Sequence, residues 1–219
     1  MRTHLKQSDA AKLERFQTAL TNATTDAAIS ESLSKYGLST ETLEEGKTLL
    51  STTRQAYELS NSRRRKRAVV YDEFYKQKTA LNTLYAKHRR MAKLVFEENP
   101  EVYESLGLNA KYRTTYAYWI EMLKNFYSQV DADSGIKERL AKLNITTEEL
   151  DATISAIPPL EKARADYMIE KGASQDATVA KKIAFERMDD WMKHFFDLSK
   201  VAFRKQPQLM ESFGVVVKS

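Results

Sequence analysis

This chain contains the stretch Leu33-Ser-Lys-Tyr-Gly-Leu-Ser-Thr-Glu-Thr-Leu43, and later it contains Leu140-Ala-Lys-Leu-Asn-Ile-Thr-Thr-Glu-Glu-Leu150, which aligns with the first stretch without a gap. Gly37 of the first stretch aligns with Asn144 of the second. Glycine and asparagine are the residues that best tolerate the left-handed backbone conformation that ends many helices. Each stretch therefore predicts a helix, a tight turn and a second helix.

The alignment of Leu33 with Leu140 defines an offset in the numbering, and the same offset holds on both sides of this stretch. We call it the repeat offset. The matched residues of the first copy are Asp26, Ile29, Glu31, Lys93, Phe96, Pro100, Glu104, Ser105 and Gly107, which recur as Asp133, Ile136, Glu138, Lys200, Phe203, Pro207, Glu211, Ser212 and Gly214. Proline is common at the first position of a helix and glycine just after the last one, so the matches also predict a short helix in each copy. We therefore predict a tandem duplication, with one helical repeat over 1–109 and the other over 110–219.

Long helices are predicted between these markers. Residues 41–98 contain one glycine and no proline, and their apolar residues recur at helical spacing. Ser39 or Thr40 is a typical N-cap for the helix that follows, as is Thr146, with Glu149 three positions later, in the second copy.

Polar residues fill 60–67, and Gly172 follows the equivalent place in the second copy. We therefore expect two helices joined by a turn near 62–68 and again near 170–176, with one continuous helix as the alternative. Pro158 and Pro159 predict a kink or a new helix start in the second copy only.

The opening helix of the second copy is more hydrophobic than that of the first. Its apolar face consists of Tyr112, Tyr116, Trp119, Leu123, Phe126 and Val130. The first copy has Lys12 and Asp9 on the same face, so we expect the helix over 112–130 to be buried between the two halves. The predicted fold is all-α, a tandem duplication of an antiparallel helical bundle unit packed into one elongated body.

Three stretches carry a resemblance to a group of known proteins. They are the turn Tyr36-Gly-Leu-Ser-Thr-Glu-Thr-Leu43, the pair Phe126-Tyr127 and the ending Pro207-Gln-Leu-Met-Glu-Ser-Phe-Gly214. Together they resemble uncharacterised tandem helical-bundle proteins of bacteria over most of the chain. The resemblance implies a duplicated helical fold and no named activity or site residue.

The composition excludes several classes of enzyme and site. The chain has no cysteine, which rules out disulfides and thiolate ligands, and its six glycines are too far apart for a dinucleotide or phosphate loop. A ferritin-like di-iron site needs Glu-x-x-His, but Tyr85 and Trp191 stand three positions before His88 and His194. We therefore expect no enzymatic activity and no cofactor. With no signal peptide and no apolar segment of membrane-spanning length, we expect a cytoplasmic protein.

One helix face has metal-ligating residue types. Glu186, Asp190 and His194 are spaced by four positions and lie on the same side of a helix. They are a candidate metal site. The alternative is a solvated face with ion pairs along the helix, and the first copy favours it, because it has Thr79, Thr83 and Lys87 instead.

Charge is concentrated in one stretch. Residues 60–93 contain eleven Lys and Arg against Asp72 and Glu73, a formal charge of +9 in a chain of +5. The candidates for binding nucleic acid or an acidic partner are Arg63, Arg64, Arg65, Lys66, Arg67, Lys87, Arg89 and Arg90. Lysine and arginine at such density bind phosphates or acidic surfaces, but they also serve as a solvated helix surface.

We therefore predict a non-enzymatic structural or protein-interaction bundle with an acidic macromolecule, protein or nucleic acid, as its partner. One alternative is a nucleic-acid-associated protein that binds phosphates through 63–93. The other is a metal- or ligand-binding bundle with a site between the two halves.

Overall fold

The computed structural model describes residues 8–215, which form helices and no strand, so the all-α prediction is confirmed. The α-helices are α1 (Asp9–Thr25), α2 (Ala27–Ser34), α3 (Thr40–Val95), α4 (Pro100–Ser105), α5 (Tyr116–Ala132), α6 (Ser134–Ala141), α7 (Thr147–Ser155) and α8 (Ile157–Ala202). A 3₁₀ helix, Pro207–Phe213, follows them. Within the described residues, none of the helices has both the length and the apolar character needed to cross a membrane.

The predicted turns have the expected geometry. Gly37 and Asn144 have φ angles of 88° and 62°, in the left-handed region. The Ser39 hydroxyl accepts a hydrogen bond from the backbone N–H of Thr42, and the Thr146 hydroxyl accepts one from Glu149. The N-caps are therefore Ser39 and Thr146.

The helix bounds recur at the repeat offset. When this offset is added to both ends of α1 and α2, the results are the ends of α5 and α6. Adding the offset to the first residue of α3 gives the first residue of α7, and adding it to the last residue of α3 gives the last residue of α8. The start of α4 likewise coincides with that of the 3₁₀ helix.

The turns expected near 62–68 and 170–176 are absent, because α3 and α8 pass through these positions as continuous helices. The prediction of two shorter helices was wrong because arginine and lysine are good helix formers, and one glycine such as Gly172 costs a helix only about 1 kcal/mol. Pro158 and Pro159 lie in the first turn of α8, after α7 has ended at Ser155. The new helix start predicted there is confirmed.

The chain forms two compact units. Unit 1 combines the described residues 8–66 with 171–215, and unit 2 consists of 67–170. Each unit therefore contains the early helices of one sequence repeat and the late helices of the other. The units do not coincide with 1–109 and 110–219, because the long helices α3 and α8 each contribute to both units.

The two units differ in the polarity of their interiors. The buried polar side chains of unit 1 all carry hydroxyl groups: Thr53, Ser60, Ser174 and Ser199. Unit 2 buries ionisable side chains as well: His88, Arg89 and Glu170, with Thr153. Buried ionisable groups are rare in proteins and need specific partners, so unit 2 contains the stronger candidates for functional residues.

Helix α5 lies in the core of unit 2. It begins at Tyr116, so Tyr112 belongs to the preceding loop rather than to the helix. The buried residues of α5 are Trp119, Ile120, Leu123, Phe126, Tyr127 and Val130. They share one hydrophobic cluster with Phe74, Leu81 and Tyr85 of α3, so the core of this unit contains residues of both sequence repeats.

Candidate functional site

Two clefts of unit 2 lie beside α3 and share a pair of lining residues. The first, of about 290 Å³, is lined by Tyr75, Lys78, Thr79, Asn82, Tyr112, Thr114 and Trp119. The second, of about 420 Å³, is lined by Asn82, Ala86, Arg89, Arg90, Lys93 and Tyr112. Asn82 and Tyr112 line both clefts, and within the described chain no aspartate or glutamate lines either. We call these residues together the donor groove, because cations and N–H groups dominate its polar lining.

The spacing of the groove residues on α3 explains why they share a wall. Lys78, Asn82, Ala86, Arg89 and Lys93 are three or four positions apart, which places them on one face of the helix. The opposite wall is formed by the loop before α5 and by the first turns of α5.

Arg89 holds the loop that contributes the opposite wall. Its side chain is only 8% exposed, and its Nη2 donates to the backbone carbonyls of Gly107, Leu108 and Ala110 at 3.2, 3.2 and 2.7 Å. The guanidinium also lies 6.0 Å from the ring centroid of Tyr112. The guanidinium of Arg89 is therefore used to bind these carbonyls, and the prediction that Arg89 binds nucleic acid or an acidic partner stays a prediction.

Two buried N–H groups on the groove wall have no acceptor among the residues that the structure describes. They are Nε of Arg89 and Nε1 of Trp119, whose side chain is 1% exposed. The ammonium of Lys78 lies 5.6 Å from the ring centroid of Trp119. Burying a donor without a partner costs about 1–3 kcal/mol, but both atoms lie below the surface that a ligand in the groove can reach.

The amide of Asn82 adds a further donor. The Tyr112 hydroxyl donates to Oδ1 of Asn82, which links the two walls of the groove and leaves the amide nitrogen of Asn82 to donate.

Unit 1 lacks this arrangement at the positions that the repeat offset makes equivalent. Phe185 stands where unit 2 has Lys78, Phe196 where it has Arg89, and Asp197 where it has Arg90. Asp189 stands at the position of Asn82 and forms an ion pair with Lys12, which stands at the position of Trp119. The cationic face of α3 is therefore not a requirement of the fold.

The structure separates the predicted basic residues into three groups. Arg64, Arg65 and Lys66 are exposed on α3, and Arg63 and Arg67 are partly buried there. Arg90 is exposed and lines the donor groove. Lys87 faces another side of the helix, where its Nζ lies 2.8 Å from Oε1 of Glu149. Of the eight predicted residues, only Arg89 and Arg90 therefore line the groove.

His88 belongs to a second polar cluster of unit 2. Its side chain is fully buried, with Nδ1 2.8 Å from the hydroxyl of Tyr127 and Nε2 2.7 Å from Oε1 of Glu149. Burial lowers the pKa of His88 below its usual 6.5, although the hydrogen bond to Glu149 opposes the shift. A neutral imidazole satisfies both contacts, since Nε2–H donates to the carboxylate and Nδ1 accepts from the phenol.

The cluster fixes Glu149 rather than exposing a reactive group. Hydrogen bonds from Lys87 and His88 lower the pKa of the Glu149 carboxyl, and burial raises the pKa of the Tyr127 phenol. His88 and Tyr127 are buried to 0 and 1% exposure, so only Glu149 meets the surface. Our reading of the sequence missed this cluster. The comparison of the repeats contained its signal, because Phe195, Leu20 and Thr42 stand at the equivalent positions.

The candidate metal face is not formed. Glu186, Asp190 and His194 are all exposed on α8, and Glu186 pairs with Lys182 at 3.7 Å. Among the residues in the described range 8–215, no group of three His, Asp or Glu side chains is placed to hold a metal ion. The prediction was wrong because two helical steps of four positions separate its first and last members by about 12 Å along the axis. His4 lies outside the described residues.

Known proteins supply no further guidance on this site. Comparison of the chain with protein-family models, with curated proteins and with solved structures finds no match.

Proposed function

We propose that this chain is a non-enzymatic interaction protein that binds single-stranded nucleic acid through the donor groove of unit 2. The observation that carries the proposal is the groove lining itself, in which the cations Lys78, Arg90 and Lys93 stand with no aspartate or glutamate among the described lining residues. Phosphate oxygens carry negative charge and accept hydrogen bonds, so they suit such a lining.

Aromatic side chains in the groove favour a nucleic acid over an acidic protein. Tyr75 is 53% exposed and lines the groove together with Tyr112. Bases stack on such rings at about 1–3 kcal/mol per base, without a demand for a particular sequence. An acidic peptide would engage the cations but not the rings.

The basic run 63–67 supports the same function by its charge. Arg64, Arg65 and Lys66 are exposed, and α3 has no acidic residue between Glu58 and Asp72. A cationic surface of this kind raises the rate of encounter with a polyanion and makes binding dependent on salt.

We also propose that the fold is a tandem duplication of one helical bundle unit. The common repeat offset of the helix bounds supports it, as do the buried pairs Leu33 and Leu140, Leu43 and Leu150, and Phe96 and Phe203. The donor groove combines residues of both copies, because α3 comes from the first copy and the loop before α5 from the second. We further propose that the protein is cytoplasmic, as expected from its sequence.

Fluorescence anisotropy with a labelled oligothymidine tests the nucleic-acid proposal. We expect binding at low salt that weakens steeply as KCl is added. The variant Arg90→Ser/Lys93→Ser should bind about tenfold more weakly, and the slope of log affinity against log salt should fall by about 1.4, since each lost phosphate contact contributes about 0.7. The matched control, Lys193→Ser/Lys200→Ser, removes the same charge from exposed positions of unit 1 and should bind like the parent.

Two results would overturn the proposal. One is the absence of binding by the parent protein at low salt. The other is an equal loss of affinity in the control variant, which would mean that net charge alone attracts the strand. A third measurement distinguishes nucleic acid from an acidic protein. The variant Tyr75→Ser should weaken the binding of oligothymidine but not that of polyglutamate. Tight binding of polyglutamate that this change does not affect would establish an acidic protein as the partner instead.

A further inference from the structure

A pocket on a different face of α3 shares no residue with the donor groove. It has a volume of about 350 Å³, within the range of roughly 300–1,000 Å³ typical of small-molecule sites. Its lining comes from α3 on one side and from α7 and the start of α8 on the other: Gln77, Ala80, Leu81, Leu84, Glu149, Ala152, Thr153, Ala156 and Pro159.

The polar lining of this pocket offers acceptors. The Thr153 hydroxyl donates to the backbone carbonyl of Glu149 at 2.6 Å and is therefore occupied. The Gln77 amide nitrogen donates to Glu73 at 2.7 Å, while Oε1 of Gln77 is buried and accepts no hydrogen bond from the described residues. Two acceptors remain: the Gln77 carbonyl, which has no donor among the described residues, and the Glu149 carboxylate, which accepts from Lys87 and His88.

Glu149 is ionised and positioned before any ligand arrives. Lys87 and His88 hold its carboxylate at 2.8 and 2.7 Å, and they lower the pKa of the carboxyl. Its side chain is still 27% exposed. His88 is fixed in turn by Tyr127, so the carboxylate is held by a buried network.

In unit 1, different residues stand at the positions equivalent to two residues of the pocket lining. Trp191 stands at the position of Leu84, and Gly46 stands at the position of Thr153. The Trp191 ring lies so close to Gly46 that a Cβ added to the glycine would overlap the ring. An indole-sized ring therefore occupies in unit 1 the place that unit 2 leaves as a pocket.

We infer that the pocket of unit 2 binds a small aromatic amine, with its ring among the apolar side chains and its ammonium on the Glu149 carboxylate. The size of the ligand's ring is inferred from the Trp191 ring of unit 1. The positive charge of the ligand is inferred from the lining, in which the described residues supply an ionised carboxylate and no cation. Lys87, which is 45% exposed, turns toward solvent when the ligand's ammonium replaces it at Glu149.

Isothermal titration calorimetry with tryptamine tests this inference. The parent protein should bind tryptamine, and indolepropionate, which has a ring of the same size and the opposite charge, should give no heat of binding. Glu149→Gln keeps an acceptor for His88 and should weaken tryptamine binding at least tenfold. The matched control is Glu148→Gln, because Glu148 is exposed and absent from the pocket lining.

A second variant tests the pocket independently of its charge. Leu84→Trp/Thr153→Gly introduces the residues that unit 1 has at these positions, so a ring of the protein itself should fill the pocket. We expect this variant to fold, as judged by its thermal melting, and to bind no tryptamine. The inference is overturned if the parent gives no heat with tryptamine, if indolepropionate binds as well, or if Glu148→Gln weakens binding as much as Glu149→Gln. Oligothymidine binding is measured in parallel, so that failure here is distinguished from failure of the donor groove.

Discussion

His88 and Phe195 stand at the same position of the two sequence repeats, and both side chains are 0% exposed. Phe195 packs against Trp191 and Phe213, with ring centroids 5.7 and 5.3 Å apart, as an ordinary core residue does. His88 instead makes two polar contacts, with Tyr127 and Glu149. A buried polar side chain is tolerated only with such partners, so the burial of His88 depends on both Tyr127 and Glu149.

The first prediction concerns the pH dependence of stability. The pKa of His88 is lowered in the folded protein, so the unfolded chain binds a proton more readily than the folded one. The free energy of unfolding should therefore fall as the pH drops through 6.5, and this stability is fully present only above that value. In His88→Phe/Tyr127→Leu, which has the residues of unit 1, the curve should be flat in this window. Urea denaturation at a series of pH values measures it.

The converse substitution is the control for this prediction. Phe195→His places an imidazole in unit 1, where Leu20 and Thr42 stand in place of the tyrosine and the glutamate. We expect a loss of about 2–4 kcal/mol, because the new polar group has no partner and the aromatic packing is reduced. An unchanged free energy of unfolding would show that the partners of His88 are not what makes its burial possible.

The second prediction separates two adjacent arginines. Arg89→Met should destabilise the protein by about 2–4 kcal/mol, because three backbone carbonyls lose a charged donor. Arg90→Met should change the free energy of unfolding by less than about 0.5 kcal/mol, because Arg90 is exposed. Urea denaturation of both variants measures the difference, and equal stabilities would contradict the structural role of Arg89.

This pair also shows what a sequence can and cannot predict. Helix ends are marked by single residues such as Gly37, Asn144 and the prolines. The sequence predicted these ends, and the structure confirms them. Arg89 and Arg90 are neighbours of the same residue type, and only tertiary contacts make one a buried donor and the other a surface cation. No local pattern contains that information.

The donor groove and the His88 cluster could not be predicted for the same reason. Lys78, Trp119 and Tyr112 meet in the donor groove although they come from different segments, and Glu149 meets His88 across 61 residues of sequence. The basic stretch could be recognised in the sequence from its lysines and arginines. The groove could not, because its opposite wall is formed by the loop before α5 and by α5 itself. Comparison of the two repeats was the one sequence signal that marked His88, since the other copy has phenylalanine there.

The third prediction concerns the two left-handed turns. Asn144→Gly should stabilise the protein by up to about 1 kcal/mol, because φ is 62° at this position and glycine adopts it without a steric cost. Gly37→Ala should destabilise it by about 1–2 kcal/mol, since φ is 88° there although the surrounding space is open. Thermal unfolding of the two variants should therefore shift in opposite directions, and a shift in the same direction would contradict the assigned turns.

The fourth prediction compares two glycines inside long helices. Gly172→Ala, in α8, meets nothing within 4 Å and should stabilise the protein by about 0.5–1 kcal/mol through the lower chain entropy of alanine in the unfolded state. Gly46→Ala, in α3, would place its Cβ against the rigid ring of Trp191 and should destabilise by about 1–3 kcal/mol. The measurement is chemical denaturation under identical conditions.

A double-mutant cycle shows whether the contact with Trp191 causes the second effect. Trp191→Leu, which introduces the residue of unit 2, removes the ring and leaves a cavity that costs stability by itself. If the ring is the obstacle, Gly46→Ala should become neutral or stabilising in this background, because only its helix propensity then remains. If Gly46→Ala lowers the free energy of unfolding equally with and without the Trp191 ring, the ring is not in contact with position 46. The pocket of unit 2 would then not correspond to a place that an indole-sized ring fills in unit 1.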